Sequence, residues 1–470
     1  MEDRYRTTGK KQSLPQFFEM DLEHFFQHFR ELDAWRESFG AMSLDDSQRI
    51  SPGHAEQVLT ELVNRLKGNY PFHHPQYAGQ MLKPPHELAI QAYMLAMTIN
   101  PNNHALDGGP PTSEMEKEVM AQLAQMVGYG KRYLGHLTSS GTIANLEALW
   151  VARESRPNKA IAFSSAAHYT HARMCEVLKV NALEIPVDSD GKMDLEALED
   201  VIGRVGTVVV TMGTTGLGLV EDLPGVLDLC RDRKVRVHVD GAYGGFFKLL
   251  ESTHLIDDRP WSRLAEADSF VVDPHKHGLQ PYGCGSVLFR DPGVGKYYKH
   301  DSPYTYFSSD ELHLGEISLE CSRAGASAAA LWATLQCFPL TELGLGRILA
   351  QCRSAAREFY DALRDSPVFA PLMPPDLDIV VYFPVRTPLR VSDLSELSKR
   401  IFQLGMEDPK EGLHLSLYRM PSEIVKNNYQ ELQVDQPEVT LLRSVLMKPE
   451  HRYFVPELIR RLEKLWMKAR

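Results

Sequence analysis

Val271-Val272-Asp273-Pro274-His275-Lys276-His277-Gly278 is a short apolar strand that delivers a polar cluster at its carboxyl end. Ligands of open α/β sheets bind at such ends. A lysine there can serve as a nucleophile, because partial desolvation lowers its pKa and the neutral amine forms an imine with an aldehyde. Alone, the cluster would read as a surface lysine after a core strand, so the neighbouring strand ends decide.

Apolar runs at 160–163, 208–210, 235–239, 270–272 and 286–289 alternate with helical patterns. One helix is expected at 112–128, entered through Pro110-Pro111 and ended near Gly128, and another at 142–154. This alternation predicts an α/β domain with a largely parallel sheet. The run at 235–239 ends in Asp240-Gly241-Ala242-Tyr243-Gly244-Gly245, a carboxylate with small residues behind it at the same edge. Such a carboxylate can keep a pyridine nitrogen protonated, which lets the ring withdraw electrons from a bound substrate. Thr211-Met212-Gly213-Thr214-Thr215-Gly216 adds hydroxyls, and Ser164-Ser165-Ala166-Ala167-His168 adds an imidazole able to lie flat on an aromatic ring. Thr138-Ser139-Ser140-Gly141-Thr142 precedes the 142–154 helix, whose free N–H groups and partial positive charge suit a phosphate. Lysine, aspartate, threonine and histidine converging from four strand ends are hard to attribute to packing.

The flanking sequence differs in pattern. Between Leu14 and Gly40, Phe18, Leu22, Phe25, Phe29 and Leu32 mark one face of an amphipathic helix. That face covers either its own domain or, as a swapped arm, a second subunit. Beyond Gly344 a helix at 345–364, strands at 377–383, 413–418 and 439–447, and a last helix at 456–468 predict a smaller α+β domain, with the Pro-rich 367–375 as a connecting loop. The expected division is 1–107, a helical segment; 108–343, the large α/β domain; and 344–470, the small domain.

Bulk composition excludes several functions. The chain has 470 residues, 43% of them hydrophobic, and 51 basic against 62 acidic side chains give a net charge of −11, which disfavours nucleic acid and anionic membranes as partners. Six cysteines without a C-x-x-C pair read as reduced thiols, with no structural metal. The polar amino end has no apolar h-region behind it and no apolar run approaches a membrane span, so a cytoplasmic enzyme is expected.

From about His74 to Met447 the chain resembles the group II pyridoxal-phosphate decarboxylases of fold type I, which include glutamate, aromatic amino acid, tyrosine and aspartate decarboxylases. Asp273-Pro274-His275-Lys276, His238-Val239-Asp240-Gly241-Ala242-Tyr243 and Thr138-Ser139-Ser140-Gly141-Thr142 carry the resemblance. It implies pyridoxal 5'-phosphate as cofactor, held as a Schiff base on Lys276. Asp240 would pair with the pyridine nitrogen, Ala242 and His168 would cover the two ring faces, and Thr215 would lie near the ring. Ser140, Gly141, Thr142 and His275 resemble the phosphate contacts, and Asp273 stands where several relatives have Asn.

His74-Pro75-Gln76-Tyr77 resembles the segment lining the substrate pocket, which implies His74 and Tyr77, and Arg443 in Leu442-Arg443-Ser444 resembles the arginine that holds the substrate carboxylate. The implied reaction converts an L-amino acid to its amine and CO2, in a homodimer with shared sites. One departure matters: Leu312 aligns with the loop tyrosine that protonates the α-carbon in relatives, leaving His313, Tyr304 and Tyr306 as candidate donors. A carbon-carbon lyase or an aldehyde-forming oxidative decarboxylase therefore stays open, as does a non-catalytic binding protein on the same scaffold.

Overall fold

A computed structural model of the chain describes residues 22–40, 42–43, 45–104, 108–299 and 318–470. It falls into two compact units, one ending at Lys67 and the other Gly68–Arg470.

The first unit holds the helices Leu22–Glu37 and Pro52–Leu66. In the former, Phe25 is buried and its ring meets Phe29 edge-on at 4.8 Å. The latter starts where Ser51 caps the N–H of His54 and Pro52 takes the first turn, where no N–H is needed. Its apolar stripe of Val58, Leu59, Leu62, Val63 and Leu66 is exposed.

The second unit is built on a seven-stranded sheet. Its strands are β1 (Leu134–Thr138), β2 (Ala160–Ser164), β3 (Ala182–Ile185), β4 (Val205–Thr211), β5 (Arg236–Asp240), β6 (Ser269–Val272) and β7 (Gly285–Phe289), in the order β1-β7-β6-β5-β4-β2-β3. β6, β5, β4, β2 and β3 run parallel, and β7 is antiparallel to both its neighbours. The Val-rich runs end up as these strands because a parallel sheet covered on both faces buries every side chain, as β4 does along its whole length. Helices form close to expectation at Pro110–Val127, ended by Gly128 at φ 91°, and at Gly141–Ser155.

β1 and β3 are elements that the periodicity did not reveal. β1 carries Gly135 and His136, yet it is fully buried because His136 Nε2 lies 2.9 Å from Glu147 Oε2. β3 is a short, mostly exposed edge strand.

The remaining strands, β8 (Phe369–Pro371), β9 (Ile379–Pro384), β10 (Ser416–Pro421) and β11 (Glu438–Val445), form an antiparallel sheet in the order β10-β11-β9-β8. Helices Arg347–Arg364, Val391–Glu407 and His451–Ala469 pack on it, and Phe359 meets Tyr382 at 5.3 Å in their shared core. The Pro-rich stretch expected as a loop thus contributes β8, an edge position where proline's missing N–H is tolerated. The last helix starts at His451, five residues before Pro456, because proline near a helix start removes few hydrogen bonds. No described helix is long and apolar enough to cross a membrane.

Candidate active site

The sheet order sets β6, β5, β4 and β2 side by side, so the four polar strand ends share one edge. Registers align them: Thr211 lies opposite Asp240, and Asp240 opposite Val271. Beyond this edge is a cleft of about 300 Å³, and every residue that the sequence pattern and the resemblance assign to the cofactor lines it: Ser140, Gly141, Thr142, His168, Thr215, Asp240, Ala242, His275 and Lys276.

Asp240 is buried, with Oδ2 2.8 Å from His171 Nε2 and Oδ1 accepting the N–H of Ala242 at 3.1 Å. Burial alone would raise its pKa, but the His171 hydrogen bond and the charges of His171 and Lys276 hold the carboxyl far below the usual range. It is therefore a fixed anion. His171 is not legible from the sequence pattern, since its role depends on a partner 69 positions away. Behind it, His238 bridges Ser269 Oγ and Asn145 Oδ1, both at 2.9 Å, and Asn145 Nδ2 donates to Gly141 O. Burial pushes the His238 imidazole down to about 3, so this link between β5 and the helix Gly141–Ser155 is neutral.

Lys276 behaves differently from expectation. Burial works to lower its pKa, yet the charges of Asp273 and Asp240 outweigh it and raise the ammonium above its ordinary value. Nζ lies 3.0 Å from Asp273 Oδ2. His168 Nδ1 accepts the N–H of Thr170 at 3.2 Å, and desolvation lowers its pKa, giving a neutral ring suited to stacking.

At the Gly141 end, the helix's free N–H groups open into the cleft. A Cβ on residue 141 would sit 2.4 Å from Asp273 Oδ2, so only glycine allows the strand-end carboxylate this close. Ser140 Oγ caps the N–H of Ile143 at 3.4 Å, and His275 Nδ1 donates to Cys284 O at 2.7 Å.

The expected substrate residues are not in this cleft. Tyr77 is buried beside Tyr70, Phe72 and His414, and Lys448 Nζ donates to its carbonyl at 2.6 Å. His74 Nδ1 accepts the N–H of Gln76 at 3.1 Å. Arg443, expected to hold a carboxylate, instead donates to Thr215 O, Gly216 O, Gly79 O and Ser416 Oγ. The guanidinium fixes the Thr215 loop, which a sequence motif cannot reveal. Arg443→Met should leave those carbonyls unpaired and cost on the order of 2–4 kcal/mol, read from denaturant midpoints. An unchanged midpoint with a large rise in KM would return Arg443 to substrate binding. His313, Tyr304 and Tyr306 lie outside the described residues.

The fold and the converging lysine, aspartate and helix amino end define a fold type I pyridoxal-phosphate enzyme. Residues 41–383 match the model of the pyridoxal-dependent decarboxylase conserved domain, and the chain belongs to that family. It is similar to L-tyrosine decarboxylase of Enterococcus faecium, 27% identical over 78% of this chain and 80% of the relative. A probable L-aspartate decarboxylase of Pyrococcus furiosus is 29% identical over 70% of this chain and 87% of its own. Among solved structures, mouse CSAD superposes with a TM-score of 0.76 at 20% identity, covering 94% of this chain and 98% of that one. The cofactor is pyridoxal 5'-phosphate and the enzyme is a carboxy-lyase.

Proposed function

We propose that this enzyme removes CO2 from an L-amino acid and releases the amine. The convergence of Lys276 with the anionic Asp240 in one cleft carries the reading, and relatives named as tyrosine and aspartate decarboxylases support it. Bound pyridoxal phosphate supplies an aldehyde that condenses with amines and a pyridinium ring that draws electrons from the substrate's α-carbon.

The residues fit that group. The amino end of the helix Gly141–Ser155, open because residue 141 lacks a Cβ, with Ser140, Thr142 and His275 beside it, would hold the phosphate. Asp240 would keep the pyridine nitrogen protonated, His168 and Ala242 would cover the ring faces, and Thr215 would stand near its edge. Lys276 Nζ would hold the group at its aldehyde carbon. Arg443 acts at one remove, by fixing Thr215 at the cleft wall. The α-carbon proton comes from His313, Tyr304 or Tyr306. Incubating the purified protein with a panel of amino acids and measuring CO2, with the product weighed by mass spectrometry, tests the proposal. No CO2 from any amino acid, or an aldehyde in place of an amine, would overturn it.

The active unit is a homodimer, and the protein is cytoplasmic, in keeping with six unpaired cysteines. A second copy is the occupant that best suits the stripe Val58, Leu59, Leu62, Val63 and Leu66, since contiguous exposed apolar surface marks an interface. Leu62→Asp should shift the sedimenting species from dimer to monomer and lower turnover. A wild-type monomer with full activity would sink the assembly.

A further inference from the structure

Asp273 stands between two parts of the cleft. Its Oδ2 is 3.0 Å from Lys276 Nζ and 3.5 Å from His275 Nε2, while Oδ1 is buried with no hydrogen-bond partner among the described residues. Both oxygens occupy the space that a Cβ on residue 141 would take, at the mouth of the phosphate cradle. His275 Nδ1 donates to Cys284 O, and burial, the largest influence on this ring, lowers its pKa. The neutral ring therefore turns the lone pair of Nε2 toward Asp273. Two acceptors face each other with no proton between them. His168, Tyr282 and Cys284 also feel the Asp273 charge, and none of them donates to it.

Without an anion, Lys276 balances the Asp273 charge. An oxyanion with two negative charges at Gly141 and Thr142 adds repulsion that one ammonium does not offset, and crowded like charges in a buried site push one group to bind a proton. The proton comes from solvent and settles on a carboxyl oxygen. Asp273 then becomes a donor, able to reach His275 Nε2 or the entering anion, and its orphan oxygen is accounted for.

We propose that Asp273 takes up one proton when a phosphate-like dianion enters the Gly141–Thr142 cradle, so that the site binds the anion less tightly as pH rises. This rests on the reading that the cradle holds the cofactor's phosphate. Linkage sets the sign: a group whose pKa is raised in the complex favours binding below that pKa, and the gain is lost above it.

The test uses the full chain freed of cofactor and inorganic sulfate, a dianion across the neutral range, titrated calorimetrically at about pH 6, 7 and 8. Wild-type affinity should fall about tenfold per pH unit over part of that range. Heats in two buffers of different ionisation enthalpy should show uptake of roughly one proton per sulfate. The D273N protein should bind sulfate more tightly than wild type at the highest pH and vary less than about twofold. A flat wild-type profile overturns the proposal. The same slope in D273N also overturns it and puts the proton on His275. Thr142→Glu, an exposed change that sets a carboxylate in the cradle, should abolish sulfate binding. Unchanged binding in that variant would instead refute the placement of the phosphate.

Discussion

Lys276→Ala is expected to carry no covalently linked cofactor and to lose turnover by at least about ten-thousandfold. Two contributions disappear together. The first is the proposed attachment point for the cofactor aldehyde at Nζ. The second is the cation itself, which lies 3.0 Å from Asp273 and feels the field of Asp240. Without it, Asp273 is a buried carboxylate with no lysine or arginine at ion-pair distance among the described residues, a costly arrangement for any dianion entering at Gly141. The cofactor should therefore bind weakly as well as non-covalently. Borohydride reduction and then peptide mapping read the outcome: wild type should retain the pyridoxyl group on the peptide containing residue 276, and the variant should retain none. A reduced adduct on another lysine, with activity preserved, would remove Lys276 from its role.

The parts of this site that are legible in sequence are those whose chemistry is local. Strands buried on both faces announce themselves as Val-rich runs, and parallel geometry forces the residues at the carboxyl end of each run to one edge. Lys276, Asp240, His168 and Gly141 can therefore be assembled from four separate stretches. The hidden parts depend on contacts distant in sequence. β1 reads as polar until Glu147 is known to pair with His136. His171 has the spacing of an ordinary helix residue until Asp240 is set against it. Arg443 has the position of a carboxylate clamp, and only the folded loop shows its N–H groups directed to Thr215, Gly216 and Gly79. The Lys276 pKa departs from expectation for the same reason: desolvation is foreseeable from a strand end, whereas the two carboxylates that oppose it come from different strand ends.

Asp240→Asn should keep the link at Lys276 yet slow turnover about a thousandfold, the scale on which a single pre-organised electrostatic partner acts. The substitution preserves size and removes the charge. Because the wild-type carboxyl is held far below its ordinary range, it stays ionised at any pH where the fold survives, and its contribution would be lost only as pH falls through that depressed value. The acid limb of the rate profile near neutrality thus belongs to other groups. His171 is the lever on this. His171→Gln keeps an amide donor but removes the imidazole's charge, so burial is less opposed, the Asp240 pKa rises and the acid limb moves toward neutral pH, with a loss of about tenfold at the optimum. A residue that merely packs against β5 would lower stability without moving that limb. The pH dependence of kcat for wild type, D240N and H171Q, each checked for bound cofactor by its visible absorbance, decides between these. If D240N kept more than about a tenth of the wild-type rate with cofactor bound, the charge of Asp240 would not be what activates the ring.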